Sequence, residues 1–228
     1  MSDTTTPTKH YLLWIDVETT AIKPEDGQLL EVGMRITNLD GSDVAPQAVN
    51  DPYVFSTIVP HKQLTYTNKN EYAFIMHQNN GLINEVLNCN EQRSIIPWLV
   101  DCIDELQDNN WPHAILHPAG TNVDFDLEWL KAHQIYLYAP ICESNVSYRK
   151  LDMSAIRLTL TAAGIDPYKA NHKTTHRVDD CLDRDIHDWR NWIQWVQEHN
   201  DNDINSFCDC GCVCPQSLSD RFESEDDE

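Results

Sequence analysis

A strand that ends in two acidic residues is encoded near the start of the chain. The apolar run Tyr11–Ile15 is followed at once by Asp16-Val17-Glu18. Successive side chains of a strand point to opposite faces of a sheet, so Asp16 and Glu18 are expected to share one face at the strand end. Two carboxylates this close repel each other unless one is protonated or a cation lies between them. Their oxygen atoms suit Mg²⁺ or Mn²⁺, although a solvated acidic strand end is the alternative for this pair alone.

The apolar segments that follow predict a sheet that begins with an antiparallel meander. After the first strand, Tyr11–Asp16, turn residues separate two more strands at Leu29–Thr37 and Tyr53–Val59. The remaining predicted elements are a helix over Glu91–Leu106, a strand at Ala114–Leu116, a helix over Val123–His133, a strand at Ile135–Tyr138, and helices over Ser154–Ala163 and Asp179–Glu198. A meander followed by such alternation predicts an α/β fold, in which a mixed sheet of antiparallel and parallel strands is flanked by helices.

The charge of the chain limits which partners it can bind. Among its 228 residues, 37 are Asp or Glu and 16 are Lys or Arg, which gives a formal net charge of −21. A charge this negative argues against broad, non-specific binding of duplex nucleic acid through a basic face. It leaves room for a small site in which bound divalent ions hold phosphates that the protein's own charge would repel.

Composition also divides the chain into three parts. Residues 1–9 are polar and contain no apolar signal-peptide core, and no apolar run approaches the roughly 20 residues that cross a bilayer. These observations predict a cytoplasmic protein with a short disordered lead at 1–9. One folded domain is predicted over residues 10–200, followed by an acidic, cysteine-rich tail at 201–228.

The tail carries four closely spaced cysteines, Cys208, Cys210, Cys212 and Cys214. Four thiolates can hold a Zn²⁺ ion, and this is one interpretation of the tail. Structural zinc sites usually combine two separated pairs with two or more residues inside each pair, whereas the spacing here is Cys-x-Cys throughout. The alternative is a reduced tail that binds no metal.

Two further acidic signals lie at the starts of predicted helices. Asp126 follows the strand at Ala114–Leu116, and Asp180 follows His176 at the start of the last helix. Together with the first acidic pair, they resemble the DEDDh 3′→5′ exonuclease superfamily, and within it oligoribonuclease. The resemblance covers about residues 10–198 and is carried by six segments in the family's order: Trp14–Thr20, Leu30–Val32, His77–Leu82, Phe125–Leu130, Tyr148–Ser154, and His176 with the acidic residues after it.

The resemblance implies a ribonuclease-H-like fold and an active site with two metal ions. At the matching positions of this chain, two divalent ions, Mg²⁺ or Mn²⁺, would be held by Asp16, Glu18, Asp126 and one last Asp. One ion would lower the pKa of the attacking water, and both would clamp the scissile phosphate. His176 would take the proton from that water, a role that suits a group titrating near neutral pH.

The resemblance also implies contacts with the substrate. His77 and Leu82 match a family segment that lies near the terminal base. Tyr148 and Arg149 match a segment that serves the far end of a short oligonucleotide, in part across the interface of a homodimer. Taken alone, Tyr148 is equally consistent with a place in the core. Arg149 belongs to a chain poor in basic residues, so a phosphate or dimer contact is the better interpretation of its charge.

The chain departs from the family at the last metal ligand. The family spacing puts four residues between the histidine and this ligand, and here that count selects Cys181. A thiol matches Mg²⁺ poorly because this ion prefers oxygen ligands. We therefore predict that the backbone shifts to present Asp180, although one residue corresponds to a rotation of about 100° on a helix. Asp179 and Asp183 are weaker candidates, and a site impaired by the cysteine is the alternative.

These interpretations predict a metal-dependent 3′→5′ exoribonuclease. It would hydrolyse short oligoribonucleotides to 5′-mononucleotides by a two-metal mechanism, since short substrates need no long basic groove. One alternative is a broader exonuclease of the proofreading type that acts on single-stranded DNA or RNA. Another is a catalytically impaired relative that acts as a binding protein, which the cysteine and the charge of −21 motivate.

Overall fold

The computed structural model describes residues 8–45, 51–107, 113–135, 137, 144–168 and 175–199. The chain divides into two compact units, Met1–Arg190 and Asn191–Glu228. The predicted tail at 201–228, with its four cysteines, and residues 1–7 of the predicted lead lie outside the described residues. Thr8 and Lys9, which the sequence assigns to the lead, belong to the first strand.

The first unit is built on a five-stranded mixed sheet. Its strands are β1 (Thr8–Thr19), β2 (Leu29–Asn38), β3 (Val54–Ile58), β4 (His113–Gly120) and β5 (Leu151–Asp152). They lie in the order β3-β2-β1-β4-β5. The pairs β1–β2 and β2–β3 are antiparallel, whereas β1–β4 and β4–β5 are parallel. The predicted fold class, an antiparallel meander extended by parallel strands, is confirmed.

Six α-helices accompany the described strands. They are α1 (Glu71–Asn79), α2 (Leu82–Asn88), α3 (Ile95–Leu106), α4 (Val123–Ala132), α5 (Met153–Ala162) and α6 (Val178–Glu198). The sequence does not predict α1 or α2. Helix α1 exposes Tyr72 and Ile75 and buries only His77, so it lacks the apolar stripe that a periodicity argument needs. Within the described ranges, every helix is too short or too polar to cross a membrane.

The predicted strand at Ile135–Tyr138 is not found among the described residues. Ile135 and Leu137 belong to no strand, and residues 136 and 138 are not described. The left-handed backbone of Gln134, with φ of 61°, turns the chain directly after α4, and Leu137 enters the core from this turn. A short apolar segment that follows a turn and is buried in the core has the same residue pattern as a short buried strand. The fifth strand is instead β5.

The central strand β1 is covered on both faces. Ile15 belongs to a core cluster that includes residues of α3 and α4, whereas Leu12 and Trp14 pack with residues of α5 and α6. Because alternate residues of a strand share a face, Asp16 and Glu18 continue the row of Trp14. The two carboxylates therefore leave β1 on the side that α6 covers.

Candidate functional site

Three carboxylates from two elements meet at the end of β1. Asp16 and Glu18 lie on β1, and Asp126 lies in the first turn of α4. The Asp126 carboxylate accepts a hydrogen bond of 3.0 Å from the backbone N–H of Val17. Gly120 permits this approach, since a Cβ atom there would lie 2.6 Å from the carbonyl oxygen of Ile15. The missing side chain thus lets the start of α4 reach the end of β1.

The environment of these carboxylates disfavours their charged forms. Burial raises the pKa of Asp16 well above its usual range, and the neighbouring charge of Asp126 raises it further. Burial likewise raises the pKa of Asp126. The hydrogen bond from the Val17 N–H lowers this pKa, but by less than burial raises it. Burial first, and then the charge of Glu31, raise the pKa of Glu18 to about 8. Acidic groups crowded in this way attract a cation, which would relieve both the burial and the repulsion.

The raised pKa of Glu18 predicts a stability that depends on pH. The folded-state pKa of about 8 lies above the usual 4.5, so the stabilising contribution is full below pH 4.5 and is lost as pH rises through 8. We expect metal-free Glu18→Gln to unfold at a higher denaturant concentration than the wild type at pH 8.5, by about 4–5 kcal/mol in free energy of unfolding, and to lose this advantage near pH 4. Denaturant titrations in the presence of a chelator measure the stability difference at pH 8.5 and its loss near pH 4. The exposed carboxyl change Glu128→Gln is the control, and parallel pH curves for Glu18→Gln and wild type would contradict the expectation.

The fourth position of the cluster is occupied by Cys181. Ligand atoms of Asp16, Glu18 and Cys181 all lie within 4.8 Å of one another. The Cys181 Sγ atom is 3.9 Å from Glu18 Oε1. Asp180, which the sequence analysis selects as the last ligand, is exposed, and its carboxylate accepts a hydrogen bond from the Thr175 hydroxyl. The predicted shift of the backbone toward Asp180 is absent from this structure.

The packing of α6 explains why the cysteine and not the aspartate faces the cluster. The buried residues of the helix follow helical spacing, and they are Val178, Cys181, Leu182, Asp185 and Ile186. Gly33 on β2 receives this face: a Cβ atom there would lie 2.6 Å from Val178 Cβ. Rotating the helix by one residue would expose these apolar side chains. Asp179 and Asp183 lie exposed beside this buried face, and both pair with Arg35 on β2.

His77 and Leu82, which are predicted to lie near the terminal base of the substrate, are both interior residues. Both side chains are completely buried in this structure. His77 Nε2 lies 3.1 Å from the Thr19 carbonyl oxygen and 3.5 Å from Glu18 Oε2. Burial lowers the pKa of His77 to about 4, so the imidazole is neutral at pH 7. His77 therefore supports the end of β1 from behind, and Leu82 packs in a small core cluster with Leu30.

Arg177 is a residue that the sequence analysis does not single out. Its guanidinium donates to both oxygens of Glu31 on β2, at 2.9 and 2.8 Å, and to Glu85 on α2. Glu31 lies opposite Glu18 in the β1–β2 pairing, so Arg177 offsets part of the repulsion between these carboxylates. The bidentate pair also joins the start of α6 to the sheet. A basic residue directly after His176 was the available signal.

The other predicted site residues lie at the surface. His176 is exposed and has a left-handed backbone with φ of 54°, just before α6. Asn80 holds this turn, since its amide donates to the carbonyl oxygens of Thr175 and His176 at 2.9 and 2.8 Å. Tyr148 and Arg149 are also exposed, and the guanidinium lies over the tyrosine ring at 5.3 Å from its centroid. Exposure removes the core interpretation of Tyr148.

Curated relatives of the chain are named oligoribonuclease. The protein of Baumannia cicadellinicola is 30% identical over 151 residues, which cover 65% of this chain and 72% of the relative. The protein of Actinobacillus pleuropneumoniae is 26% identical over 179 residues, which cover 77% of this chain and 88% of the relative. That of Buchnera aphidicola is 25% identical over 170 residues, covering 72% and 83%. No model of a protein family matches the chain.

The solved structures that resemble the chain are larger proteins. A structure of exonuclease I superposes with a TM-score of 0.49 at 14% identity. The matched region covers 83% of this chain and 41% of the exonuclease I chain. An exonuclease I complex with a dA16 oligonucleotide gives a TM-score of 0.49 at 12% identity, covering 84% and 42%. The chain thus spans about two fifths of the length of these structures.

Proposed function

Because the chain belongs to the oligoribonuclease family of 3′→5′ exonucleases, we propose that it hydrolyses short single-stranded oligoribonucleotides to 5′-mononucleotides. The observation that carries this proposal is the convergence of Asp16, Glu18 and Asp126, three buried or half-buried acidic groups, at one strand end. A chain with a net charge of −21 has no reason to assemble such a cluster for stability, since it raises the pKa of each member. It is suited to binding cations and phosphate.

The residues present fit a divalent metal ion. The Oδ2 atom of Asp16 is buried and has no hydrogen-bond partner among the described residues, so it is available as a ligand. Asp16, Glu18 and Asp126 would supply oxygen ligands, and Cys181 borders the same space. A divalent ion bound there supplies the acidification of water and the neutralisation of the phosphate that hydrolysis needs. The family implies two such ions, usually Mg²⁺ or Mn²⁺, and the ligand set present here determines which ion the site prefers.

The chain's own residues orient the site and move the proton. The Val17 N–H fixes the Asp126 carboxylate, and the neutral His77 supports Glu18 from the protein interior. We propose that His176 accepts the proton of the attacking water, because its imidazole is exposed and the Asn80 amide holds the turn that carries it.

Replacement of this base should slow the reaction without removing the metal site. We expect His176→Ala to lower kcat by about 10²-fold or more, the usual effect of losing a general base. The deficit should shrink as pH rises, because hydroxide then replaces the base. Initial rates from pH 6 to 10 measure both effects, with the exposed His113→Ala as the control. A variant whose pH profile coincides with that of the wild type would remove His176 from the reaction.

Tyr148 and Arg149 are proposed to bind the far end of the substrate. Their exposed stack offers an aromatic face and a guanidinium side by side, which suits a terminal base and its phosphate. We further propose that the protein acts as a homodimer, in which the partner contributes to this end of the site.

The second candidate function is a catalytically impaired relative that binds nucleic acid or a protein. The position of Cys181 beside Asp16 and Glu18 favours it, because a carboxylate is replaced at a position where hydrolysis needs hard ligands. The third candidate is a broader exonuclease of the proofreading type that acts on single-stranded DNA or RNA.

One experiment separates these functions. Oligomers of two to twenty residues, RNA or DNA, labelled at either end, are incubated with the full chain and Mg²⁺ or Mn²⁺. We expect 5′-mononucleotides to be released from the 3′ end, fastest from the shortest RNA. Equal rates on long DNA would favour the proofreading type, and binding without cleavage in both ions would favour the impaired relative.

A further inference from the structure

The thiol beside the carboxylates sets this site apart from an all-oxygen centre. Cys181 is buried, with 7% of its surface exposed, and its Sγ atom shares a 4.8 Å cluster with Asp16 and Glu18. The contact of 3.9 Å to Glu18 Oε1 shows that the sulfur faces the ligand atoms. An ion bound between the two carboxylates would therefore lie within reach of the thiol.

The position of this thiol is imposed by the fold. Helix α6 is fixed against β2 by Val178 and Leu182, whose atoms fill the space beside Gly33. On the far side, Asp185 of the same helix is held by Arg157 and Thr121 at 2.7 Å each. Both anchors lie within one turn of Cys181, on the same buried face. The helix cannot rotate an aspartate into the cluster without breaking them.

A second, independent observation points to a cation at this place. Asp16 Oδ2 is buried without a hydrogen-bond donor among the described residues, which is a costly state for a carboxylate oxygen. Arg184 is a nearby cation, but its guanidinium donates to Asp185, and more weakly to Thr121. The residue with the orphaned oxygen, Asp16, is also the residue whose carboxylate lies within 4.8 Å of the Cys181 thiol.

We propose that Cys181 is a metal ligand and that the centre therefore selects a thiophilic divalent ion of the first transition row, Zn²⁺ or Co²⁺, over Mg²⁺. The thiol loses its proton to solvent when the metal–sulfur bond forms. Thiolate ligands favour zinc and similar ions, whereas Mg²⁺ demands oxygen ligands and keeps its waters. This inference rests on the proposed function only in assigning the bound ion to hydrolysis; the ligand set itself follows from the cluster.

The test uses Co²⁺, because a cobalt–thiolate bond gives a charge-transfer absorption band in the near ultraviolet. The four tail cysteines can bind Co²⁺ as well, so the parent protein is the full chain with Cys208, Cys210, Cys212 and Cys214 all replaced by Ser. We expect the reduced, metal-free parent to develop the band at one equivalent of Co²⁺. Cys181→Ser in this background should abolish it. Cys102→Ser, which changes a buried thiol on α3, should leave it intact.

A second variant measures the selectivity. Cys181→Asp replaces the soft ligand by a hard one, so we expect it to bind Zn²⁺ at least about tenfold more weakly and Mg²⁺ at least about tenfold more tightly than the parent. A tenfold change is the lower end of what even an outer-shell partner contributes to metal affinity. Isothermal titration with each ion gives both values, and circular dichroism verifies that each variant is folded.

The outcomes separate this inference from the proposed function. A parent without the band, or a folded Cys181→Ser variant that keeps it, would overturn the role of Cys181, whatever the protein hydrolyses. A band that depends on Cys181, combined with no cleavage of RNA or DNA in any ion, would uphold the ligand set and reject the exonuclease. Cleavage supported by Mg²⁺ alone, in a parent that shows no band, would uphold the exonuclease and reject Cys181 as a ligand.

Discussion

Asp16→Asn is expected to reduce hydrolysis of a short oligoribonucleotide by about 10³-fold or more. The substitution keeps the shape of the side chain but removes a carboxylate whose oxygen lies within 4.8 Å of ligand atoms of Glu18 and Cys181. Ions at such sites stabilise a transition state by several kcal/mol, and several kcal/mol correspond to this loss of rate. Because repulsion within the cluster is relieved at the same time, the variant should be at least as stable as the wild type without metal.

The measurement is single-turnover cleavage of a labelled RNA dinucleotide at saturating Mn²⁺. The matched control is Asp124→Asn, which changes an exposed carboxylate in the same turn of α4 as Asp126, and whose partner is Lys150. This control should stay within about threefold of the wild type, since surface ion pairs contribute little. Near-normal activity of Asp16→Asn would reject the metal site at the end of β1.

Arg157→Met is expected to lower the free energy of unfolding by about 3–5 kcal/mol, the usual cost of breaking a buried ion pair from one side. Arg157 is buried on α5 and donates to Asp185 at 2.7 Å and to Asp188 at 2.6 Å. Methionine retains most of the apolar volume, so the loss arises from two carboxylates. Asp185, which is buried on α6, keeps only Arg184 and Thr121 as partners among the described residues, and Asp188 loses the Arg157 guanidinium. This network joins α5 to α6 and thereby holds the helix that carries Cys181.

Urea denaturation measures this effect, and a double variant tests its cause. Arg157→Met combined with Asp185→Leu removes the stranded charge, so the pair should be more stable than Arg157→Met alone. The control Arg190→Met breaks the pair with Asp43, which is about half exposed, and should cost about 1 kcal/mol. A double variant that is less stable than the single one would show that packing, and not charge, dominates at this position.

Local patterns of the sequence account for the architecture and for most of the acidic cluster. An apolar run that ends in Asp16-Val17-Glu18 places both carboxylates on one face, because the side-chain period of a strand is two wherever the strand lies. The mixed sheet follows in the same way from three clustered strands and the alternation after them. Asp126 is assigned through the resemblance to the exonuclease family, and the structure brings its carboxylate to the end of β1 by the hydrogen bond from the Val17 N–H.

Long-range packing accounts for the positions that local patterns leave open. His77 lies in a segment matching the family's base-contact region, yet the fold buries it behind Glu18. The segment around Leu137 is predicted to be a strand because a short apolar segment gives the same sequence pattern whether it is buried after a turn or within a sheet.

The residue beside the metal ligands is the clearest case of this kind. Chain order leaves Asp180 and Cys181 one residue apart, and a helix can present either one by a rotation of about 100°. Chemistry favours the aspartate, because an oxygen ligand suits the ions of the family. The choice is made by Val178 and Leu182 against Gly33, contacts between residues about 145 positions or more apart in the chain. Turning the helix would expose buried apolar surface at about 25 cal/mol per Å², a cost that no local preference at one ligand offsets.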